Sequence, residues 1–118
     1  MNQNTFNDLL EQRLESIKKT LYDKGKEYSR GFNVFHNFIQ AGKKLNCSKE
    51  KALMGMMTKH LVSIDDLVNT AESDDIIKEE TVREKIGDTI NYLILLEAML
   101  LDREETILSN KQENEKVF

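Results

Sequence analysis

No proline occurs anywhere in the 118 residues, and that absence constrains the fold more than any motif does. Proline ends helices and shapes turns and edge strands, so a chain without it, with only five glycines, can run long helices between a few short connections. The apolar spacing agrees. Leu10, Leu14, Ile17 and Leu21 recur at i, i+4, i+7 and i+11, one stripe of a first helix that Thr5-x-x-Asp8 would cap and Gly25 would end. Asn33 is a candidate cap for a short second helix with Phe35, Phe38 and Ile39 facing inward and Gly42 weakening its last turn.

Ser48 reads as the cap of a third helix, in which Leu53, Met56, Met57, His60, Leu61, Ile64, Leu67 and Val68 keep the 3, 4 spacing. Thr70 to Asp75 is polar and reads as a loop; a fourth helix should run from Glu79 into Asp102 or beyond. Its first half carries Val82, Ile86, Ile90 and Leu93 on one side and Glu84, Asp88 and Asn91 on the other. From Tyr92 to Leu101 it is apolar almost all round, a surface that burial between subunits would satisfy, so a homo-oligomer is expected. No stretch alternates as a strand does. The expected architecture is all-α, a four-helix-bundle-like single domain over residues 1–108, with a polar tail over 109–118 that frays or serves assembly.

The net charge of −4 hides an asymmetry. Up to Lys59 there are 11 basic and 6 acidic residues; from His60 onward there are 6 basic and 15 acidic. An acidic second half without a basic recognition helix argues against duplex DNA as a partner. The longest apolar stretch falls short of the ~20 residues needed to span a bilayer. The one cysteine, Cys47, excludes an intrachain disulfide framework, and no leader-like apolar run opens the chain, so a soluble cytoplasmic protein is the expectation. The charge split suggests that cations from one half and carboxylates from the other meet at a shared anionic ligand.

Three constellations carry chemistry. Glu84, Asp88 and Asn91 fall at i, i+4 and i+7 with Gly87 beside them, and two carboxylates one turn apart offer oxygens to Mg²⁺. The same stripe continues as Leu95 and Ala98, a polar floor becoming an apolar one, as a pocket for phosphate at one end and base or sugar at the other requires. On the third helix Lys59, Ser63 and Asp66 share a stripe beside His60: a point charge for phosphate, a hydroxyl donor and a carboxylate to join the others, while His60 itself also fits a plain core position. Between the first two helices, Tyr28, Arg30, Asn33, His36 and Asn37 alternate with Phe35 and Phe38, a loop able to close over a planar ligand.

Taken together, Lys26-Glu27-Tyr28, Phe35-His36-Asn37-Phe38, Lys59-His60-Leu61-Val62-Ser63-Ile64-x-Asp66 and Glu84-Lys85-Ile86-x-Asp88-x-x-Asn91-Tyr92-Leu93 resemble a family of small phage and prophage proteins. That family is similar to the nucleotide-modification-associated and MazG-like all-α nucleoside triphosphate pyrophosphohydrolases, and the resemblance covers about residues 20–102. It implies a MazG-like bundle, a dimer or tetramer, a host bacterial cytoplasm and Mg²⁺ held by acidic pairs on two helices. Asp66, Glu84 and Asp88 are the metal ligands it implies. Here the Glu-x-x-Glu pair of such enzymes is replaced by the Lys59, Ser63 and Asp66 stripe, and the second pair is spaced as Glu84-x-x-x-Asp88. A cation and a hydroxyl grip phosphate better than they support two-metal cleavage.

The function expected first is therefore sequestration of a nucleotide-type phosphate ligand, with a cyclic nucleotide immune signal and phage immune evasion as the form the resemblance implies. Tyr28, Arg30, His36, Asn37, Lys59, His60, Ser63, Asn91 and Tyr92 are the candidate ligand contacts. The alternatives are a Mg²⁺-dependent nucleotide pyrophosphohydrolase and an oligomeric scaffold that binds nothing small.

Overall fold

The structure, a computed structural model, describes the backbone of residues 1–29 and 33–116, and their side chains except those of 24–29, 104–106, 109 and 113–116. Four helices follow one another: α1 (Gln3–Ser29), α2 (His36–Leu45), α3 (Lys49–Glu72) and α4 (Glu79–Lys116). The expected all-α class holds, and the described residues contain no strand. None of these helices is long and apolar enough, among the described residues, to cross a membrane.

The ends show what the chain used as punctuation. Ser48 caps α3 as expected: its hydroxyl accepts the Lys51 N–H at 3.1 Å from an extended backbone. At α1 the cap is Asn2, whose side chain accepts the Thr5 N–H at 2.9 Å, so the helix starts before the Thr5-x-x-Asp8 box. Gly25 does not end α1, which continues to Ser29. A helix-interior glycine costs only about 1 kcal/mol, less than the neighbouring turns supply. Asn33 takes the Phe35 N–H at 2.8 Å and so shapes the turn before α2 rather than capping its first residue. At the other end α4 keeps its helix to Lys116, through the stretch expected to fray.

The α2–α3 corner depends on Gly42. Asn46 adopts the left-handed conformation, and the Cys47 N–H bonds back to the Gly42 carbonyl at 2.9 Å, closing the helix end. A β-carbon on Gly42 would stand 2.6 Å from the Cys47 carbonyl oxygen and 3.2 Å from Ser48 backbone atoms, none of which can swing away. Gly42→Ala should therefore cost about 2 kcal/mol of stability through overpacking, read as a lowered urea midpoint at unchanged slope.

Contacts set the helix directions. His60 of α3 meets Asp88 of α4, and Glu50 meets Arg103, so these two helices are antiparallel. Arg13 of α1 donates to the Arg83 carbonyl at 2.9 Å, while Thr20 and Leu21 share a cavity with Asn91, Ile94 and Ala98, so α1 runs parallel to α4. Gly87 receives the Arg13 guanidinium where its own side chain would have been. Its bareness serves a neighbouring helix.

The core is thin. Phe35, Leu53 and Met99 form its centre, with Phe38, Ile39, Tyr92, Leu95 and Leu96 packed around them, and only Leu53 and Met99 are wholly enclosed among the described residues. In α4 the inward face is Thr89, Tyr92, Leu95, Leu96 and Met99; the expected apolar stripe splits, with Ile86 and Ile90 half-buried but Val82 and Leu93 exposed. The first twelve residues are exposed throughout, Phe6, Leu9 and Leu10 included. The radius of gyration is 18.5 Å, against about 13.5 Å for a compact chain of this length.

One charge pair ties α3 to α4 near this core. Glu50, 12% exposed, has its carboxylate 3.0 Å from the Lys49 ammonium and 3.5 Å from the Arg103 guanidinium. Burial of the carboxyl works against ionisation, but the hydrogen bond from Lys49, a backbone N–H of Glu50 itself and the charges of Lys49 and Arg103 together outweigh it and hold Glu50 below its ordinary value. With the folded-state value depressed, the stabilisation is complete above the unfolded-chain value and is lost as pH falls through the folded one. Thermal melts should accordingly show Glu50→Gln less stable than wild type at neutral pH, with the gap closing as pH falls below the ordinary carboxylate range.

Candidate functional site

A cavity of about 560 Å³ opens between α1, α2, α3 and α4, within the ~300–1,000 Å³ range of small-ligand sites. Its walls are mostly apolar. Leu21 comes from α1, Phe38 from α2, Met56 from α3, and Ile94, Leu95 and Ala98 from α4, with Val34 and Phe35 from the turn before α2. The polar groups are few: Thr20, Asn37, His60, Asp88 and Asn91. Leu95 and Ala98 continue the Asp88–Asn91 stripe into the apolar part, the gradient expected from their spacing.

The polar cluster has defined geometry. His60 is nearly buried, with a side chain 15% exposed; its Nδ1 lies 3.8 Å from the Asp88 carboxylate, and its ring centre lies 5.1 Å from that of Tyr92. Phe38 meets Tyr92 edge-on at 6.2 Å. Aromatic rings from three helices thus meet at Tyr92. Beside them, Asn91 Oδ1 is buried without a hydrogen-bond partner among the described residues. A buried amide oxygen left unpaired costs about 1–3 kcal/mol, and the residue that carries it also lines the cavity.

The expected site residues divide. Asn37, His60, Asp88, Asn91 and Tyr92 come together around the cavity. Lys59, Ser63, Asp66, Glu84 and His36 are not among its lining; Lys59, Asp66, Glu84 and His36 are exposed. Ser63 turns its hydroxyl to donate to the Lys59 carbonyl at 3.0 Å, a bond within its own helix. The reason is angular: successive helix residues differ by about 100°, so a stripe through Lys59, Ser63 and Asp66 points away when His60 points in. The Tyr28 side chain and Arg30 lie outside the described residues.

Asp66, Glu84 and Asp88 do not gather. Among the described residues no group of three or more His, Cys, Asp or Glu could hold a metal ion. The donor set at the cavity is one carboxylate, Asp88, facing one imidazole, His60.

Sequence reasoning missed the α1 wall. Leu21 belongs to the first helix's stripe and Thr20 adjoins it, but no local signal says that this stripe meets a segment some seventy positions later. Arg13 was missed for the same reason. Its guanidinium rests on Gly87, which shares a helix face with Asn91 and Ile94 at i+4 and i+7, so a cation stands one turn before the cavity's polar end. Comparison with protein-family models, curated protein sequences and solved structures gives no match, which leaves this geometry as the ground for any reading.

Proposed function

We propose that the protein binds and sequesters a nucleotide-type phosphate ligand in this cavity, holding it rather than turning it over. The observation that carries the reading is the unpaired buried oxygen of Asn91 beside the His60, Tyr92 and Phe38 rings. A nucleobase answers both features at once, since it presents amino or ring N–H donors at the edge of a flat aromatic face. Asn37 adds a second amide, and the Asp88 carboxylate accepts from an amino group or a sugar hydroxyl.

Phosphate belongs at the polar end. Arg13 has five N–H donors and spends one on the Arg83 carbonyl, and a guanidinium binds phosphate with paired donors. The general charge split thus narrows to one named cation, Arg13, one turn before the carboxylate-bearing end of the cavity. Cyclic nucleotides used as immune signals are one form of this ligand class, on the phage-like resemblance.

The test is a panel of nucleoside mono-, di- and triphosphates and cyclic nucleotides, read by thermal shift and then by chromatography after incubation with Mg²⁺. A true ligand at a hundred times its Kd should add about 2.7 kcal/mol and be recovered intact. No shift with any member removes the reading. Turnover that Asp88→Ala abolishes replaces it with hydrolysis.

A further inference from the structure

We infer that two copies of this chain pair antiparallel about a twofold axis, the α1 start of each lying on the far half of α4 of the other. The inference rests on the protomer's two ends and is independent of any ligand. One end carries Lys43 and Lys44 of α2, Lys49 and Lys51 of α3 and Arg103 of α4, brought together by the Glu50–Arg103 contact, and stays net basic against the carboxylates of Glu50 and Asp102. The other end carries the exposed carboxylates of Asp65, Asp66 and Glu72 of α3, Asp74 and Asp75 of the connection, and Glu79, Glu80 and Glu84 of α4, against the four cations Arg13, Lys78, Arg83 and Lys85, and is net acidic. Along α4 the distance from Glu84 to Arg103 is about 28 Å by helix rise, roughly three Debye lengths at physiological salt. The two ends therefore act as separate patches of opposite sign.

Each end also holds an unpartnered apolar set. At the acidic end Phe6, Leu9, Leu10 and Leu14 of α1 remain 39–49% exposed. At the basic end Leu100, Leu101, Ile107 and Leu108 of α4 remain 45–58% exposed. With Leu93, these side chains present an area on the order of the ~800 Å² that each partner of a standard interface buries. Antiparallel pairing puts acidic end on basic end and α1 set on α4 set, and the twofold axis repeats both contacts. Parallel pairing would set like charges together. The extended shape and the thin core follow, since part of the core lies between the two chains.

Light scattering on the eluting protein should give twice the 13.7 kDa protomer mass, with the dimer weakening as salt rises. Leu14→Glu, at a position 44% exposed, should shift the mass toward one protomer while circular dichroism keeps the helix content. The decisive arm is charge reversal. Lys43→Glu with Lys44→Glu and Lys51→Glu makes both ends acidic, and Asp65→Lys with Asp66→Lys and Glu72→Lys gives the former acidic end a basic patch. Each variant alone should be largely monomeric, and an equimolar mixture should recover the dimer mass. A monomeric wild type overturns the inference. So do variants that each pair as well as wild type, a mixture that stays monomeric, and an open series of growing masses in place of a dimer.

Discussion

Leu53→Ala should lower stability by about 3 kcal/mol, within the 2–5 kcal/mol seen for enclosed leucines, and drop the melting temperature by on the order of 10 °C. Leu53 has no exposed surface and packs with Phe35 and Met99 at the only place where α3, α4 and the turn into α2 converge on fully enclosed side chains among the described residues. Such a loss is a large share of the 5–15 kcal/mol that holds a typical domain together. A neighbouring control sharpens it: Met54, on the same helix and 45% exposed, should tolerate the same truncation with a loss under about 1 kcal/mol. Denaturant titration of the two variants side by side checks the contrast, and equal losses would move the core elsewhere.

The second large effect separates stability from binding. Asn91→Leu keeps the branched skeleton of the side chain and removes the buried oxygen that lacks a partner. The ligand-free protein should then hold its stability or gain about 1 kcal/mol, because an unsatisfied acceptor no longer has to be buried. Ligand affinity should fall about tenfold or more, since a lost hydrogen bond in a buried polar site costs about 1.5 kcal/mol or above. A residue that merely filled space would leave affinity unaltered, since leucine fills the same volume. Thermal melts with and without the best ligand of the panel read both quantities on one sample.

Much of the helical layout was legible because it depends on local chemistry. Ser48 announces the start of α3 through its hydroxyl, and the 3, 4 spacing picks out Leu53, Met56, Met57, His60, Ile64 and Leu67 as the inward face, while Leu61 and Val68 of the same stripe are left exposed. Helix ends set by weak preferences were less legible. Gly25 is a poor helix residue, yet α1 passes through it, and Asn2 rather than Thr5 supplies the first cap.

The site was legible where a single helix face carries it. Asp88, Asn91, Leu95 and Ala98 could be read as one floor because their spacing alone sets them side by side. The walls could not, since which helix faces that floor is a tertiary fact. His60 enters the cavity from a stripe that looks like ordinary core, while the more polar Lys59, Ser63 and Asp66 stripe turns aside. Arg13 is the clearest case. Nothing around it marks a binding residue until Gly87 is seen to leave it a seat.

The opening feature, a chain without proline, thus explains the long helices but not their incomplete packing. That follows from apolar positions placed on faces that one copy of the chain does not cover, Leu10 and Leu14 on α1 and Leu100 and Leu101 on α4. The cavity is a separate matter, formed within one protomer by all four helices.

The most direct measurement of the central claim is a side-chain amide and imidazole NMR titration of the whole protein with the nucleotide that gives the largest thermal shift. The Asn91 NH₂ pair and the His60 ring signals should move together, saturating at one equivalent per protomer, with the Asn37 amide following and exposed amides such as Asn69 unmoved. Saturation of the thermal shift with Asn91 and His60 signals unchanged would contradict a ligand site in this cavity.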